Sequence, residues 1–314
     1  MKDHFQREID YLRISVTDRC NLRCFYCMPE EGVDKKSHRD ILRDEEIIEA
    51  VNAAVKIGLK KIRITGGEPL VRKGIYTLIE KISQVSGVQE IVMTTNGLRL
   101  KGNVKKLKDA GVKRINMSLD TLNPETYKTI TQSTLHLEHE QLIQELIENE
   151  MMPIKLNAVL LRGINDHEIP DFIALADRFD IQVRFIELMP IGHLNYDYKT
   201  HYISKDEILK KYPELMFEQK HLIAEVYTIK NKRGKIGFIN PISHHFCDQC
   251  NRLRLTADGK LKPCLHTNNE IDMRKHNQQE LIEIFKSAIE QKPKQHQLNK
   301  KSNPIHRSMN KIGG

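Results

Sequence analysis

The chain contains no tryptophan, and aromatic residues make up only 6% of its 314 residues. Proteins that bind single-stranded nucleic acid stack bases on aromatic side chains, so this scarcity argues against a zinc-bearing RNA-binding module. No apolar run reaches the roughly 18 residues that a membrane span needs. The first ten residues, MKDHFQREID, carry both charge signs, which is unlike a signal or transit peptide. We therefore expect a cytoplasmic protein that binds neither nucleic acid nor a membrane.

The formal net charge is +8, from 50 Lys and Arg against 42 Asp and Glu. Such an excess predicts attraction to a polyanion, and its sign alone does not distinguish nucleic acid, a membrane surface and a nucleoside triphosphate. Part of the excess lies in residues 292–311, which are rich in Lys and Arg and are also typical of a solvated tail.

Cysteine is scarce but clustered, since the six cysteines form two groups of three. The first group is Cys20, Cys24 and Cys27, and the second is Cys247, Cys250 and Cys264. In a reducing cytosol, tight clusters indicate metal or redox chemistry rather than disulfides. The sequence therefore predicts two metal sites.

Short β-branched runs alternate with amphipathic helical stretches up to about residue 190. Six runs are predicted as strands: residues 12–16, 61–65, 90–95, 114–119, 154–161 and 182–188. Helices are predicted between them at residues 44–57, 74–86, 103–110, 137–149 and 168–179. Repeated strand–helix units form a parallel sheet whose ligands gather at the carboxyl ends of the strands.

The rhythm changes after about residue 200, where a helix (204–212), a hairpin (225–239) and a last helix (280–291) are predicted. We predict an α/β fold over residues 1–200, either an open doubly wound sheet or a closed or partly closed barrel. Residues 201–314 are predicted as a small C-terminal domain that contains the second cysteine group and a flexible Gly-Gly tail.

The first cysteine group has the spacing Cys-x3-Cys-x2-Cys, which brings three soft thiolates to one centre. Such ligands select iron–sulfur clusters, zinc or copper(I). A structural zinc usually has four protein ligands, and His4 or His38 is a candidate for the fourth. A four-iron cluster held by three cysteines instead leaves one iron open to a small molecule.

Within the second cysteine group, between Cys250 and Cys264, lie Arg252 and Arg254, which share one face of an extended segment. A zinc ribbon completed by His266 or His245 is the structural alternative here, because three cysteines and one histidine form a known zinc ligand set.

Three arginines, Arg13, Arg63 and Arg184, lie inside predicted strands. A buried guanidinium is costly unless it is paired, so these side chains need an anion. A triphosphate suits them because arginine binds phosphate through a planar fork of donors. The alternative is pairing with an internal carboxylate such as Asp120 or Glu187.

The first cysteine loop resembles that of the radical S-adenosylmethionine (SAM) superfamily, with Tyr26 in its aromatic place and Gly66-Gly67-Glu68-Pro69 after the second strand. Over nearly its full length the chain resembles the GTP 3',8-cyclase family of molybdenum cofactor biosynthesis, which implies a partial (β/α)6 TIM-type barrel over residues 1–200. The matching blocks are LRISVTDRCN (12–21), KIRITGGEP (61–69), TTNG (94–97), NMSLD (116–120), RFIELM (184–189), FCDQCNRLR (246–254) and the terminal GG (313–314).

The resemblance implies a [4Fe-4S] cluster on each cysteine group, with SAM on the open iron of the first and the guanine of GTP on that of the second. A 5'-deoxyadenosyl radical would take a hydrogen from ribose C3', and C3' would attack C8 to give (8S)-3',8-cyclo-7,8-dihydroguanosine 5'-triphosphate. The positions that match GTP contacts are Arg13, Lys61, Arg63, Thr94, Lys155, Arg184, Arg252 and Arg254.

Tyr26, Gly67, Ser118 and Met189 match the SAM contacts of the family. The resemblance also implies that Gly313 and Gly314 reach the active site and assist the radical step. The implied partners are a second copy of the chain in a homodimer, an electron donor and the downstream enzyme cyclic pyranopterin monophosphate synthase.

The chain departs from the family pattern at residues 132–134, after Pro29 and in residues 292–312. These departures put a local lid and dimer contacts in doubt. A radical enzyme that matures peptides is the closest rival, but such enzymes usually have more C-terminal cysteines and lack the Arg252-x-Arg254 pair.

Overall fold

We describe the chain from a computed structural model, which defines residues 1–29, 32, 40–135, 137–191, 197–221, 223–296, 298, 305 and 307–313. Gly314 and His38, which the sequence singles out, lie outside the described residues. The helices within them are α1 (Asp44–Lys56), α2 (Ile75–Ser83), α3 (Val104–Asp109), α4 (Pro124–Thr131), α5 (His139–Glu148), α6 (Ile169–Phe179), α7 (Tyr198–His201), α8 (Lys205–Lys211), α9 (Gln278–Glu290) and α10 (Met309–Ile312).

The described strands form a single twelve-stranded sheet. They are β1 (Tyr11–Ser15), β2 (Lys61–Thr65), β3 (Glu90–Thr95), β4 (Arg114–Ser118), β5 (Lys155–Leu160), β6 (Gln182–Glu187), β7 (Met216–His221), β8 (Ala224–Thr228), β9 (Lys235–Ile239), β10 (Arg252–Leu255), β11 (Lys260–Lys262) and β12 (Ile271–Asp272). Their order is β12-β11-β10-β1-β2-β3-β4-β5-β6-β9-β8-β7, so the sheet is open. The predicted partial barrel is confirmed.

Strands from the C-terminal third extend the barrel at both edges. β10 pairs in parallel with β1, and β9 pairs in parallel with β6. Short antiparallel strands continue outward from each, β11 and β12 on one side and β8 and β7 on the other. The C-terminal third of the chain therefore extends the barrel sheet at both of its edges.

The six predicted barrel strands all form, with ends that differ by at most one residue. They are buried because helices cover their outer face; in α1, for example, Ile47, Val51 and Ala54 point inward at helical spacing. The predicted helix at 74–86 is shorter, since α2 ends at Ser83.

Helix α4 is absent from the sequence prediction, although its start carries a recognisable signal. The Asn123 side chain accepts hydrogen bonds from the backbone N–H groups of Glu125 and Thr126, and Pro124 occupies the first turn. The helix spans only eight residues and has few apolar side chains. Its amphipathic pattern is therefore weak, and tertiary packing decides its conformation.

The C-terminal stretch is not a solvated tail where the structure describes it. Lys292, Ile305, Asn310 and Ile312 are all buried. The solvated-tail interpretation of this stretch is wrong for these residues. Among the described residues, no helix has the length and apolar character to cross a bilayer.

We expect Leu253→Ala in β10 to lower the free energy of unfolding by about 2–5 kcal/mol, the usual cost of truncating a buried leucine. Leu253 is fully buried and lies opposite Leu12 of β1. Urea unfolding followed by circular dichroism should show one transition at a lower midpoint. Leu135→Ala is the control, because Leu135 is 53% exposed. A Leu253 variant that matches this control would show that β10 adds little to the sheet.

Candidate active site between the two cysteine groups

The interior of the partial barrel contains a cavity of about 490 Å³, a volume typical of small-molecule sites. Nearly all described residues that the sequence proposes for the site line it. They are Arg13, Cys20, Cys24, Tyr26, Cys27, Lys61, Arg63, Gly67, Thr94, Ser118, Lys155, Arg184, Met189, Cys250, Arg252, Arg254 and Cys264. Cys247 and Gly313 are the described candidates that do not line it.

The first cysteine loop is held by the C-terminal end of α4. The backbone N–H of Arg23 donates to Thr131 O (2.9 Å), and that of Phe25 donates to Ile130 O (3.1 Å). Within the loop, the N–H of Cys27 donates to Cys24 O (2.9 Å). The helix that the sequence prediction missed is thus the support of the first thiols.

The three thiols of the first group lie close enough to influence one another. Burial raises the pKa of Cys24 well above its usual value, with further contributions from Asp120, Cys27 and Cys20. Burial, followed by the charge of Cys20, raises the pKa of Cys27 to about 12. Thiolates in this loop therefore need a cationic centre to stabilise them, which is what an iron–sulfur cluster provides.

A site for a single metal ion is not formed by the described residues. No three His, Cys, Asp or Glu side chains in the described ranges converge closely enough to ligate one metal ion. A cluster of several irons is held by thiols that stand further apart than the ligands of one zinc, which lie about 2.3 Å from the metal. The finding therefore bears on a mononuclear site and not on a cluster.

The Gly66-Gly67-Glu68 turn packs directly against the segment that leads into the cysteine loop. A Cβ on Gly67 would lie 2.4 Å from Arg19 O, so only glycine fits there. The buried Glu68 carboxylate accepts hydrogen bonds from the N–H groups of Leu70 (3.0 Å) and Asn96 (2.7 Å) and from Thr95 Oγ1 (2.7 Å). The turn is therefore rigid, and it leaves room at the cavity wall beside the thiols.

The predicted SAM contacts surround the same end of the cavity. Tyr26 donates its hydroxyl to Asp120 Oδ2 (2.6 Å), which fixes the ring beside the thiols. Burial raises the pKa of Asp120 to about 6. Met189 Sδ lies 3.3 Å from His266 Nε2. Ser118 ends β4 at this edge.

A row of three arginines crosses the cavity wall beyond the thiols. Arg254 lies opposite Arg13 across the β10–β1 pair, and Arg13 lies opposite Arg63 across the β1–β2 pair. Arg13 and Arg254 are each more than nine-tenths buried. Like charges directly opposite each other on neighbouring strands destabilise a sheet. The row therefore favours binding of an anion.

The arginines do not pair with the internal carboxylates that the sequence offers. Asp120 accepts from Tyr26 and from the Val159 N–H, whereas Glu187 accepts from Tyr202 and from the Ser243 N–H. Within the described part of the chain, no ion pair joins Arg13, Arg63 or Arg184 to either carboxylate. The pairing alternative is wrong.

Polar contacts satisfy the arginines only in part. The Nε atoms of Arg13 and Arg63 are buried without a hydrogen-bond partner. Arg63 Nη1 donates to Thr94 Oγ1 (3.2 Å), and Arg184 Nε donates to Gln182 Oε1 (2.9 Å). Donors that are buried and unused are the ones a bound phosphate would satisfy.

The crowded cations also lower one another's pKa values. Burial, followed by the charges of Arg184, Arg114 and Arg63, lowers the pKa of Lys155 to about 7. Burial and the charge of Arg63 lower the pKa of Arg184 to about 10, and burial and Arg252 do the same for Arg254. The cavity is strongly electropositive at this end.

Lys61 and Arg114 differ from the row because each has a carboxylate partner. Lys61 Nζ contacts Asp10 Oδ2 (2.9 Å), and its side chain is 40% exposed, so it lies at the cavity mouth. Arg114, which the sequence analysis missed, pairs with Glu90 (2.7 Å). Its alternation with Asn116 and Ser118 along β4 is the signal that would have found it.

Two thiols of the second cysteine group, Cys250 and Cys264, also line the cavity. Burial alone would raise the pKa of the Cys250 thiol, but Lys292 and Arg252 outweigh it and lower the pKa to about 7. Burial raises the pKa of Cys247 and of Cys264. Three thiols beside two cations make a suitable environment for thiolate ligands.

The proposed zinc ligands do not join either group. His266 Nε2 faces Met189, and its ring lies 4.6 Å from that of His296. His245 also packs against His296 (5.7 Å), and His4 is exposed.

The C-terminal helix α10 contacts the segment that leads into the first cysteine loop. Asn310 Nδ2 donates to Asp18 O (3.2 Å), and the Asn310 backbone N–H partly offsets the rise in the pKa of the Cys27 thiol. Arg254 Nη1 donates to Gly313 O (3.1 Å). A Cβ on Gly313 would lie 2.6 Å from Thr65 Oγ1, so a side chain does not fit. The end of the chain therefore contacts both the first loop and the arginine row.

Comparisons with known proteins define the class first. The Radical SAM superfamily model matches residues 14–176, and the Molybdenum Cofactor Synthesis C model matches residues 181–298. The fold is similar to that of SuiB from Streptococcus suis, with a TM-score of 0.62 and 14% identity over 87% of this chain and 65% of that one. It is also similar to HydG, with a TM-score of 0.51 and 18% identity over 65% of this chain and 48% of that one. The chain is a radical SAM protein, a class that combines SAM with an iron–sulfur cluster.

Curated relatives then define the family. GTP 3',8-cyclases from Alkaliphilus metalliredigens and Alkaliphilus oremlandii are each 48% identical over 100% of both chains. The enzyme of the same name from Peptoclostridium acidaminophilum is 49% identical over 99% of this chain and 98% of its own. The chain belongs to the GTP 3',8-cyclase family, as the sequence motifs predict.

We expect Arg13→Met to stabilise the anion-free protein by about 1–4 kcal/mol, because replacing a buried, poorly compensated charge with an apolar side chain relieves its desolvation. Arg114→Met is the matched control, since it removes the partner of Glu90 and should lower stability slightly. Thermal unfolding in buffer without phosphate or sulfate measures both.

Added tripolyphosphate should stabilise the wild type more than the Arg13 variant, because the anion binds the folded state. If Arg13→Met lowers the unfolding temperature as much as Arg114→Met does, the arginine row is not a strained anion site.

Proposed function

We propose that this chain is a GTP 3',8-cyclase that converts GTP into (8S)-3',8-cyclo-7,8-dihydroguanosine 5'-triphosphate. The observation that carries the proposal is one cavity lined by thiols of both cysteine groups and by a row of poorly compensated arginines. The curated relatives, matched over their full length, bear the same activity in their names. Residues 1–200 form the proposed SAM-binding barrel, and residues 201–314 form the proposed second unit.

Cys20, Cys24 and Cys27 would hold one [4Fe-4S] cluster, and Cys247, Cys250 and Cys264 would hold a second. When bound, the first cluster supplies the electron that cleaves SAM, giving a 5'-deoxyadenosyl radical that takes the C3' hydrogen of GTP. Tyr26, Gly67, Ser118 and Met189 would position SAM beside the first group. Thiols of both groups line the same cavity, which supports two centres rather than one.

The electropositive wall would bind the triphosphate. Arg13, Arg63 and Arg254 offer guanidinium donors from three neighbouring strands, and Lys155 and Arg184 add charge from β5 and β6. A nucleoside triphosphate carries about four negative charges near neutral pH and matches this density of cations. The remaining proposed GTP contacts are Lys61, Thr94 and Arg252.

The end of the chain would act on the bound nucleotide. Gly313 already contacts Arg254. Gly314, which lies outside the described residues, is the second glycine to which we assign this role. A side chain at residue 313 would collide with Thr65, which supports the view that glycine is needed for access.

Three further elements of the proposal come from the family. The chain would act as a homodimer in the cytoplasm, receive electrons from a separate donor and pass its product to cyclic pyranopterin monophosphate synthase. A product that keeps its triphosphate has to be rearranged by another enzyme before it becomes a pterin.

Turnover with [3'-²H]GTP tests the proposed function directly. Anaerobic protein, SAM and a strong reductant should yield 5'-deoxyadenosine that carries the deuterium, because the hydrogen at C3' is the one removed. Mass spectrometry of both products measures the transfer. Cys24→Ala, which lacks one thiol of the first group, should form neither product. Deuterium that stays in the nucleotide while 5'-deoxyadenosine forms would contradict the assigned site of attack.

Lys155 provides a pH signature of triphosphate binding. Its pKa of about 7 lies below the usual 10.5, so much of the amine is neutral in the unliganded protein at pH 8. Phosphate favours the charged amine, so GTP binding should take up a proton there, and affinity should fall as pH rises above 7. In the unliganded fold, burial of the charged amine lowers stability below pH 7, and this penalty is lost as pH rises toward 10.5.

Calorimetry at pH 8 in buffers of different ionisation enthalpy measures the proton uptake. Lys155→Met should bind GTP with less proton uptake than the wild type, whereas the γ-phosphate contributes equally to both. Equal uptake in the two proteins would show that Lys155 does not contact the triphosphate.

A further inference from the structure

The segment that follows α9 wraps around the second cysteine group. Lys292 is 3% exposed, and its Nζ donates to Arg252 O (2.8 Å) and to Pro263 O (2.8 Å). Its charge also lowers the pKa of the Cys250 thiol. One ammonium therefore joins the first residue of β10 to the residue before Cys264, and it acts electrostatically on the Cys250 thiol.

Neighbouring contacts hold this segment in place. The backbone N–H of His296 donates to the Cys247 thiol, and its ring contacts Pro241 O (2.6 Å). Arg7 donates to Cys247 O (2.7 Å) and to Pro293 O (2.8 Å). Arg7, near the N-terminus, and the segment after α9 thus both contact the second cysteine group.

Arg7 and Lys292 differ in whether a carboxylate neutralises their charge. Arg7 forms an ion pair with Asp3 (2.6 Å). In the described part of the chain, no carboxylate forms an ion pair with Lys292. A buried ammonium bonded only to carbonyl oxygens keeps a large desolvation cost. Negative charge on the thiolates of the second group is the compensation that its position allows.

We propose that Lys292 is a positioning residue for the second centre. Its ammonium provides the counter-charge for the thiolates of that centre and fixes these thiolates to the strand that contains Arg252 and Arg254. The inference rests on the proposed second cluster. Because a nearby positive charge favours the more negative, reduced state, Lys292 should raise the reduction potential of that centre. It should also hold the second centre at a fixed position relative to the arginine row.

The test uses the full-length chain with Cys20, Cys24 and Cys27 replaced by alanine, so that only the second centre remains. This background should contain about four iron per chain. In it, Lys292→Met should lower the midpoint potential in an EPR-monitored titration and speed iron loss to a chelator about 10-fold, as outer-shell substitutions commonly do. Lys292→Arg keeps the charge and should keep the potential close to that of the background.

Two further variants separate the effect of the Lys292 charge from the effect of its hydrogen bonds. Lys292→Gln keeps a donor for the carbonyls without the charge, so it should lower the potential while retaining more iron than the methionine variant, and it serves if the methionine variant fails to fold. Lys286→Met is the control, because Lys286 lies on the exposed face of α9 and pairs with Glu283. It should change neither property.

If the Met and Gln variants match the Lys286 control in both potential and iron loss, the role of Lys292 is refuted while the second cluster stands. If the background chain itself binds no iron, the proposed second cluster fails, and the inference fails with it.

Discussion

The guanidinium groups of Arg254, Arg13 and Arg63 come from three neighbouring strands in register, and such strands lie only about 4.8 Å apart. Their mutual repulsion is built into the sheet, because the parallel register fixes which side chains are neighbours. The interior of the barrel therefore carries an excess of positive charge that a bound anion would neutralise. The buried Nε donors of Arg13 and Arg63 belong to this row, and Arg63 adds to the burial and to the charges of Arg184 and Arg114 that lower the pKa of Lys155.

The rest of the molecule holds this arrangement in place. β10 brings Arg254 beside the first strand, and the cysteine loops enclose the cavity at either end. Contacts from the N-terminal arm and from the end of the chain reach the same region through Arg7, Lys292 and Gly313. Segments that are remote in sequence thus converge on one site, which explains why family resemblance extends over the entire chain.

Much of the fold could be predicted from the sequence because alternation and turn residues are local signals. The sequence alone assigns Arg13, Lys155 and Arg184 to strands, and the two cysteine groups to ligand loops. The period of two also places Arg114 on the same face as Ser118, which is the signal that leads to this residue. Such patterns identify which residues face the interior but not which of them are neighbours.

Contacts between residues that are far apart in sequence cannot be predicted from such local patterns. The register between β1 and β10, which joins Arg13 to Arg254, depends on strands more than two hundred residues apart. Lys292 resembles part of a basic tail, because nothing near it in sequence indicates that its amine meets Pro263 O. Pairing of the arginines with Asp120 or Glu187 is plausible on composition, but those carboxylates are occupied by Tyr26 and Tyr202.

The pairing of β1 with β10 also bears on how the chain is made. Leu12 of β1 pairs with Leu253 of β10, which lies 253 − 12 = 241 positions later in the chain. At synthesis rates of about 5–20 residues per second, the first strand leaves the ribosome roughly 10–50 s before its outer neighbour does. Through that interval it is an open edge that other chains can join. Chaperone protection of the nascent barrel would matter most during this delay.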